Sequence, residues 1–195
     1  MFRWFALAVL LGCLGISTYY RRRARLESET IPRRREGALL AVRALLALPV
    51  LIAIVAHVAM PGWMVWASFG SPGWVPWIGI VLGLLTVPAA YWVFDSLGRN
   101  VSETVLTKRN HQLVITGPYR WVRHPLYATG LMLLLAMGLM LASWFVLLAT
   151  FIALALIWFV VVPLEEAHLL ARFGDAYRAY SRRTGRLLPR LTRPA

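Results

Sequence analysis

Apolar residues fall into five long runs along the 195-residue chain, and polar or basic segments separate these runs. Each run approaches the roughly 20 residues that an α-helix needs to cross a bilayer. The predicted spans are 2–20, 38–60, 74–97, 125–141 and 143–163. The first run is too long for an ordinary signal peptide, so we expect it to be retained. The pattern predicts an all-α fold, a polytopic membrane protein with five transmembrane helices.

The last two predicted spans meet around Ala142, with too few residues between them for anything except a tight helical hairpin. After Pro163 the larger apolar residues recur every three or four positions, which predicts a separate amphipathic C-terminal helix from Ala167 to Pro189. These residues are Leu169, Leu170, Phe173, Tyr177 and Tyr180. We expect this helix to fold back over the opening beside the hairpin.

Basic residues are concentrated in three segments, and these segments fix the predicted orientation. Of 21 Lys and Arg, all except Arg3 and Arg43 lie in residues 21–35, 99–123 and 172–193. Pairs of predicted spans separate the three segments, so the positive-inside rule places all of them in the cytoplasm. The N-terminus is then outside and the C-terminus is cytoplasmic. Four tryptophans mark the outer face as an aromatic belt: Trp63, Trp66, Trp74 and Trp77.

Composition agrees with a membrane protein and excludes several other classes. Hydrophobic residues make up 59% of the chain, which is difficult to fold around one aqueous core. The formal net charge of +13 could indicate nucleic-acid binding, but the clustering of the arginines at span ends favours a membrane surface instead. Cys13 is the one cysteine, so neither a disulfide framework nor a cysteine metal site is possible, and we expect no metal.

The chain divides into residues 1–97, three N-terminal spans with an arginine-rich cytoplasmic loop, and residues 98–195, a connector, the hairpin and the tail. We expect one integrated domain, with the chemistry in the second part. Arg120, Arg123 and His124 lie just before the fourth span, and Glu165 and Glu166 follow the fifth. The hairpin brings both clusters to the same membrane depth. A carboxylate pair there needs partners, and a salt-bridged helix terminus without further function is the simplest alternative to a binding site.

The motifs in this part of the chain resemble those of the isoprenylcysteine carboxyl methyltransferase family, which is related to the phospholipid methyltransferases. The matching elements, in order, are His111-Gln-Leu-Val, Gly117-Pro-Tyr, Arg123-His-Pro-Leu-Tyr127, Glu165-Glu166, Phe173-Gly174 and Gly185-Arg-Leu-Leu-Pro189. The resemblance covers nearly the whole chain, since small prokaryotic members also have five spans. It implies a methyltransferase that uses S-adenosylmethionine in a pocket made by the connector, the hairpin and the tail.

The resemblance also implies which residues bind the cofactor. Carried over position by position, they are His111, Gln112, Leu113, Val114, Tyr119, His124, Pro125, Leu126, Tyr127 and Glu165. Residues expected to support the site or to touch substrate are Arg120, Arg123, Glu166 and Tyr177. Physically, the carboxylate of Glu165 can accept hydrogen bonds from ribose hydroxyls or from the methionyl ammonium. Tyr119 and Tyr127 can turn ring faces to the sulfonium in a cation–π contact.

One position departs from the family pattern on the substrate side. Members that act on prenylated cysteine carry an arginine four residues before the first of these glutamates, where this chain has Val161. Valine cannot replace a bidentate contact to a carboxylate. We therefore expect the acceptor to be a lipophilic small molecule or lipid that enters from the membrane. This class of acceptor is favoured over a prenylcysteine carboxylate. The acceptor atom, O, N or S, stays open, as do the catalytic base and the oligomeric state.

Two other functions remain compatible with the sequence. Membrane reductases of sterol-like lipids have a similar hairpin and tail, and the connector arginines would suit the phosphates of NADPH. A non-catalytic membrane protein is the second alternative. We expect a bacterial or archaeal plasma membrane protein whose cofactor site faces the cytoplasm.

Overall fold

The computed structural model describes residues 1–27, 38–98 and 113–190, with the side chains of Glu27 and of residues 38–46 excepted. The described backbone is all-α, as the hydrophobic pattern predicts. Its helices are α1 (Phe2–Glu27), α2 (Ala38–Ala59), α3 (Val75–Leu97), α4 (Pro125–Met140), α5 (Trp144–Leu156) and α6 (Val162–Arg183). Short 3-10 turns cover Val65–Ala67 and Gly117–Arg120.

Three stretches are long and apolar enough to cross a membrane: Phe2–Leu26, Val75–Leu97 and Trp144–Arg183. Two further apolar helices are shorter, Ala47–Ala59 and Pro125–Met140. The first is the part of α2 whose side chains the structure describes. The helical architecture is therefore as predicted, while five complete membrane crossings stay a prediction.

The core forms where α3 packs between α1 and α4, with α5 behind α4. Ala136 and Met137 of α4 are fully buried, and Val9 of α1 and Ile80 of α3 belong to the same cluster. At one end of the bundle the hydroxyl of Tyr20 donates to Asp95 Oδ1 at 2.9 Å, which ties the end of α1 to that of α3.

The opposite end of the bundle is built from tryptophans and the hairpin turn. Ser143 begins α5, where its hydroxyl accepts a hydrogen bond from the backbone N–H of Val146. The indole N–H of Trp144 donates to the carbonyl of Trp66 at 3.0 Å. The predicted belt residues Trp63, Trp66, Trp74 and Trp77 are all exposed.

The expected break between the fifth span and the tail is absent, and this corrects the sequence interpretation. A π-helical segment, Ile157–Val161, joins α5 directly to α6, so that one helix runs from Trp144 to Arg183. Pro163 lacks an N–H and its ring clashes with the carbonyl four residues earlier. The wider π-turn directly before α6 changes the backbone hydrogen-bond pattern there and lets the helix continue through the proline. Arg183, rather than Pro189, ends the helix.

Gly174 bends α6 and sends its second half toward the start of α4. Its backbone has φ 52° and ψ −124°, a conformation that side-chain-bearing residues rarely adopt. Beyond this bend, Tyr180 is buried and its hydroxyl donates to the carbonyl of Tyr119 at 2.7 Å. The C-terminal part of the helix thus folds back onto the segment before α4.

Candidate functional site

The segment before α4 is held against α3 by a glycine turn. Gly117 has φ 58°, and a Cβ added there would lie 2.2 Å from the hydroxyl oxygen of Ser96. Pro118 and Tyr119 follow in the 3-10 turn and are both buried. Because only glycine permits this conformation and approach, the turn places Tyr119 and His124 in a fixed relation to α3.

Residues 184–188, which follow α6 and are called the C-terminal strap below, pair with the backbone before α4. The N–H of Arg123 donates to the carbonyl of Gly185 at 2.8 Å, and that of His124 donates to the carbonyl of Arg186 at 3.0 Å. In return, the N–H of Gly185 donates to the carbonyl of Trp121 at 3.1 Å. The strap therefore fixes the backbone of both predicted donors, Arg123 and His124.

Glu166 is the centre of an ion-pair cluster. Arg123 Nε donates to Glu166 Oε1 at 2.7 Å, and the two side chains are 8% and 16% exposed. Arg186 Nη2 lies 3.4 Å from Glu166 Oε2. The second arm of Arg123, Nη1, donates to the carbonyls of Ser181, at 2.8 Å, and Thr184. This cluster locks α6, the strap and the start of α4 together.

His124 lies between the two glutamates. Its Nε2 is 3.4 Å from Glu166 Oε1, and its Nδ1 is 3.6 Å from Glu165 Oε2. The second separation is an ion-pair contact that is too long for a good hydrogen bond. The ring is only 4% exposed and stacks on Tyr127, with centroids 5.8 Å apart. His124 therefore connects both carboxylates to α4.

Two buried polar atoms of the site accept or donate no hydrogen bond within the described residues. They are Glu165 Oε2 and the hydroxyl of Tyr177. Leaving such groups unpaired costs about 1–3 kcal/mol each, and more for a charged group. Unpaired polar atoms beside a buried imidazole are the arrangement expected where a polar ligand completes the hydrogen bonding.

Tyr119 forms an apolar wall of the same site. Burial raises the pKa of its phenol well above the usual value, and the negative charge of Glu165 acts in the same direction. The phenol is therefore neutral at physiological pH and presents an uncharged ring near the carboxylate.

An apolar cavity of about 510 Å³ adjoins this cluster from the membrane side. It lies between α2, α4 and α5, and we call it the α5 cavity. Tyr127 and Val161 line one end of it. Since Tyr127 also stacks on His124, the polar cluster and the cavity share a wall.

The structure brings together many of the predicted site residues. Tyr119, His124, Tyr127 and Glu165 converge from three segments, and Arg123 and Glu166 support them through the contacts above. Tyr177 is buried on α6. Pro125 is the buried first residue of α4. Leu113 and Val114 are half-buried at the start of the last described segment, and His111 and Gln112 lie outside the described residues.

Other predicted residues have different surroundings. Leu126 packs against Tyr20 and Phe94 of the α1–α3 pair. Arg120 is exposed, and its guanidinium lies over the ring of Trp121 at 5.0 Å. Neither contact involves the carboxylates. Whether these residues touch a cofactor stays a prediction.

Sequence reasoning did not assign a role to Arg186 or to the π-turn. The motif from Gly185 to Pro189 contributes to the family resemblance, but it gave no indication that these residues form a strap paired with the start of α4. No local feature of the sequence indicates that α2 lines the cavity, because this depends on how the helices pack.

Comparison with known proteins finds a family profile that matches just over half of the chain. The profile of the family described as phospholipid methyltransferase matches residues 74–176, which include α3, α4, α5 and most of α6. The chain is 32% identical over 94 residues to the protein-S-isoprenylcysteine O-methyltransferase of Schizosaccharomyces pombe, covering 47% of this chain and 40% of that protein.

Two bacterial relatives carry names that refer to metal resistance. The cobalt-zinc-cadmium resistance protein CzcN of Cupriavidus metallidurans is 36% identical over 85 residues, 44% of this chain and 39% of its own length. The nickel-cobalt-cadmium resistance protein NccN of Alcaligenes xylosoxydans xylosoxydans is 34% identical over 115 residues, 58% of this chain and 53% of its own length. The matched segments thus span about two fifths to one half of these relatives.

Proposed function

Because the chain belongs to the phospholipid methyltransferase family, whose members are membrane enzymes that use S-adenosylmethionine, we propose that it transfers a methyl group from this cofactor to a lipophilic acceptor. One observation carries the proposal: the buried Oε2 of Glu165, which makes no hydrogen bond within the described residues, lies at ion-pair distance from His124 beside an apolar cavity. A mostly apolar pocket with a few polar groups is typical of small-molecule sites.

The residues of the site fit S-adenosylmethionine chemically. Glu165 Oε2 and the hydroxyl of Tyr177 can pair with the ribose hydroxyls or the methionyl ammonium of the cofactor. Tyr119 and Tyr127 supply ring faces for its sulfonium, a contact worth about 0.5–2 kcal/mol. When bound, the cofactor supplies an electrophilic methyl group, whose bond to sulfur breaks as the bond to the acceptor forms and leaves its electron pair on sulfur.

The protein's part in such a reaction is alignment and exclusion of water. The strap and the Arg123–Glu166 pair fix the position of His124, and His124 in turn faces Glu165. The neutral phenol of Tyr119 shields the site from water. These contacts create a rigid polar end for the α5 cavity, from which an acceptor in the membrane would be presented.

We propose that the basic end of the bundle faces the cytoplasm. Tyr20 of α1, Phe94 of α3 and Leu126 of α4 pack at one end, and the arginines that close α1 follow directly. The exposed tryptophans and the hairpin turn lie at the other end. A cytoplasmic site with an outer aromatic belt follows if the basic end is inside.

The proposal is tested by incubating the purified full-length protein with S-adenosylmethionine that carries a tritiated methyl group and with a total membrane lipid extract. We expect label to enter the organic phase, and we expect the His124→Ala variant to lose most of this transfer. Asp175→Asn is the control, because Asp175 is an exposed residue of α6 whose ion pair with Arg178 lies outside the His124 cluster. Protein that binds NADPH and transfers no label with any lipid fraction would favour the reductase alternative.

A further inference from the structure

We propose that Arg186 of the C-terminal strap binds the methionyl carboxylate of the cofactor, while Glu165 binds the ammonium group on the same carbon. This inference rests on the proposed use of S-adenosylmethionine and adds a cofactor-binding residue that the sequence motifs did not indicate. It also selects the ammonium, rather than the ribose, as the group that Glu165 holds.

The guanidinium of Arg186 is held in place while its hydrogen-bond donors stay unused. Its Nη2 lies 3.4 Å from Glu166 Oε2, and its Cζ lies 5.3 Å from the ring centroid of Trp158. Within the described residues these are its side-chain contacts, and neither is a hydrogen bond, whereas the neighbouring Arg123 donates three. An arginine carries five N–H donors in a planar fork that matches a carboxylate. Arg186 therefore has this fork available for a ligand.

The strap fixes the backbone that carries Arg186. The N–H of His124 donates to the carbonyl of Arg186 at 3.0 Å. On one side, a Cβ added to Gly185 would overlap the carbonyl oxygen of Leu188, and on the other side Leu187 is buried. A side chain on a backbone that is already ordered loses less freedom when it binds a ligand.

The charges around His124 leave one side chain of each sign without a close ionic partner of its own. Arg123 donates to Glu166 at 2.7 Å, and both side chains are largely buried. Arg186 adds a second guanidinium to this carboxylate, and Glu165 adds a second carboxylate on the other side of the imidazole. The cluster is balanced as a whole, and a zwitterion complements it because each of its charges meets the opposite one and the net charge is unchanged.

Glu165 and Arg186 lie at the two ends of one chain of contacts. Glu165 Oε2 is 3.6 Å from His124 Nδ1, His124 Nε2 is 3.4 Å from Glu166 Oε1, and Glu166 Oε2 is 3.4 Å from Arg186 Nη2. An α-amino acid carries its ammonium and its carboxylate on one carbon, so the groups that bind them have to be neighbours. If Glu165 bound the ribose instead, this neighbouring cation would have no anion of the cofactor to meet.

Other arginines of the described tail have different contacts. Arg178 is 61% exposed and pairs with Asp175. Arg183 Nε and Arg190 Nη1 are also exposed and donate to backbone carbonyls of the tail. These contacts do not involve the carboxylates of the site. Arg178 is therefore a suitable control for a substitution of Arg186.

The role of the carboxylate is tested with a pair of ligands. They are S-adenosylhomocysteine and its decarboxylated analogue, which keeps the adenosine, the sulfur and the amine and carries hydrogen in place of the carboxylate. Both are titrated calorimetrically into the purified full-length protein in detergent. We expect the wild type to bind S-adenosylhomocysteine about ten-fold or more tightly than the analogue, because only the former engages the guanidinium fork. Equal affinities overturn the inference.

Variants of Arg186 assign this preference to one side chain. Arg186→Met should weaken the binding of S-adenosylhomocysteine about ten-fold or more and leave that of the analogue unchanged. Arg178→Met should bind both ligands as the wild type does. A merely structural role for Arg186 would weaken both ligands equally in Arg186→Met, and that result, or unchanged binding of S-adenosylhomocysteine, overturns the inference.

Arg186→Lys is the second variant, because it keeps the positive charge beside Glu166 and loses the planar fork. Its preference for S-adenosylhomocysteine over the analogue should lie between those of the wild type and Arg186→Met. If Arg186→Met does not fold, Arg186→Lys decides the question. A preference equal to that of the wild type then overturns the inference.

The ammonium half is tested with the deaminated analogue of S-adenosylhomocysteine, which keeps the carboxylate. Glu165→Gln should weaken the binding of S-adenosylhomocysteine and leave that of the deaminated analogue unchanged. Equal weakening of both ligands would assign Glu165 to the ribose and overturn this half of the inference.

Failure of the inference and failure of the proposed function give different results. Binding of S-adenosylhomocysteine that does not depend on Arg186 contradicts the carboxylate assignment alone. A wild-type protein that binds neither S-adenosylhomocysteine nor its analogues contradicts the proposed methyl transfer itself.

Discussion

His124 Nδ1 and Glu165 Oε2 face each other at 3.6 Å, from the residue directly before α4 and from the first turn of α6. The two residues are 41 positions apart, and only the hairpin brings them together. Glu165 Oε2 is buried and makes no hydrogen bond within the described residues. A buried carboxylate oxygen at ion-pair distance from an imidazole is a poor structural contact, and it is a good position for a ligand that donates hydrogen bonds.

The neighbouring Glu166 is predicted to have the structural role that Glu165 lacks. Glu166→Gln removes the charge that faces Arg123 and Arg186 and leaves the mostly buried Arg123 guanidinium without a counter-ion. Breaking a buried pair in this way costs roughly 3 kcal/mol. We expect a clear fall in the thermal unfolding temperature of the protein in detergent. Asp175→Asn, which alters an exposed ion pair of the same helix, should leave that temperature unchanged.

Two tyrosines of α6 provide a matched comparison. Both are buried, but the hydroxyl of Tyr180 donates to the carbonyl of Tyr119 at 2.7 Å, whereas that of Tyr177 has no hydrogen-bond partner within the described residues. Tyr180→Phe should therefore lower the free energy of unfolding by about 1 kcal/mol. Tyr177→Phe should leave stability unchanged and weaken the binding of S-adenosylhomocysteine. Equal destabilisation by both substitutions would show that Tyr177 is hydrogen-bonded within the protein.

The bend at Gly174 is predicted to require glycine because of its backbone conformation, and not because a side chain would lack space. Apart from the adjoining helix backbone, no atom of the described residues lies within 4 Å of a Cβ added there, so Gly174→Ala creates no clash with them, yet its φ of 52° strains any side-chain-bearing residue. Such strain costs about 1–3 kcal/mol. We expect lower stability and faster proteolysis of the strap in Gly174→Ala, measured by limited digestion. Ala171→Ser, at an exposed position of the same helix, should digest like the wild type.

The orientation of the chain is a prediction that reporter fusions can test. Because the three arginine-rich segments are predicted to lie at one end of the spans, the C-terminus should be cytoplasmic and the N-terminus outside. A reporter that is active only in the cytoplasm should be active after Ala195 and inactive before Met1. The reverse pattern would contradict both the orientation and a cytoplasmic cofactor site.

The sequence predicts the bounds of α2, α3 and α4 to within one residue. Pro61, Gly98 and Pro125 punctuate these helices at the points where the apolar pattern also ends, so two local signals coincide. The first helix continues seven residues beyond the predicted span, since its arginines are good helix formers and can extend past the hydrocarbon. Local chemistry is sufficient for these elements.

The sequence predicted that His124 and the two glutamates would meet, but not how they are connected, and their binding of a cofactor stays a prediction. The pairing of the strap with His124, and the partnership of Arg123 with Glu166 rather than Glu165, depend on the fold-back of α6 at Gly174. The continuous helix through Pro163 depends on a π-turn, whose hydrogen bonds leave no periodic signature in an all-apolar segment. The α5 cavity depends on how α2 packs. These are tertiary relationships that no single stretch of sequence contains.

The most direct test of the account is calorimetric titration of the purified protein with S-adenosylhomocysteine. We predict that the wild type and Asp175→Asn bind at the micromolar level. Glu165→Gln should bind about ten-fold or more weakly, since hydrogen bonds to a charged group are worth about 1.5–3 kcal/mol. Binding of NADPH with none of S-adenosylhomocysteine, or unchanged affinity in Glu165→Gln, would contradict the claim that Glu165 holds the cofactor.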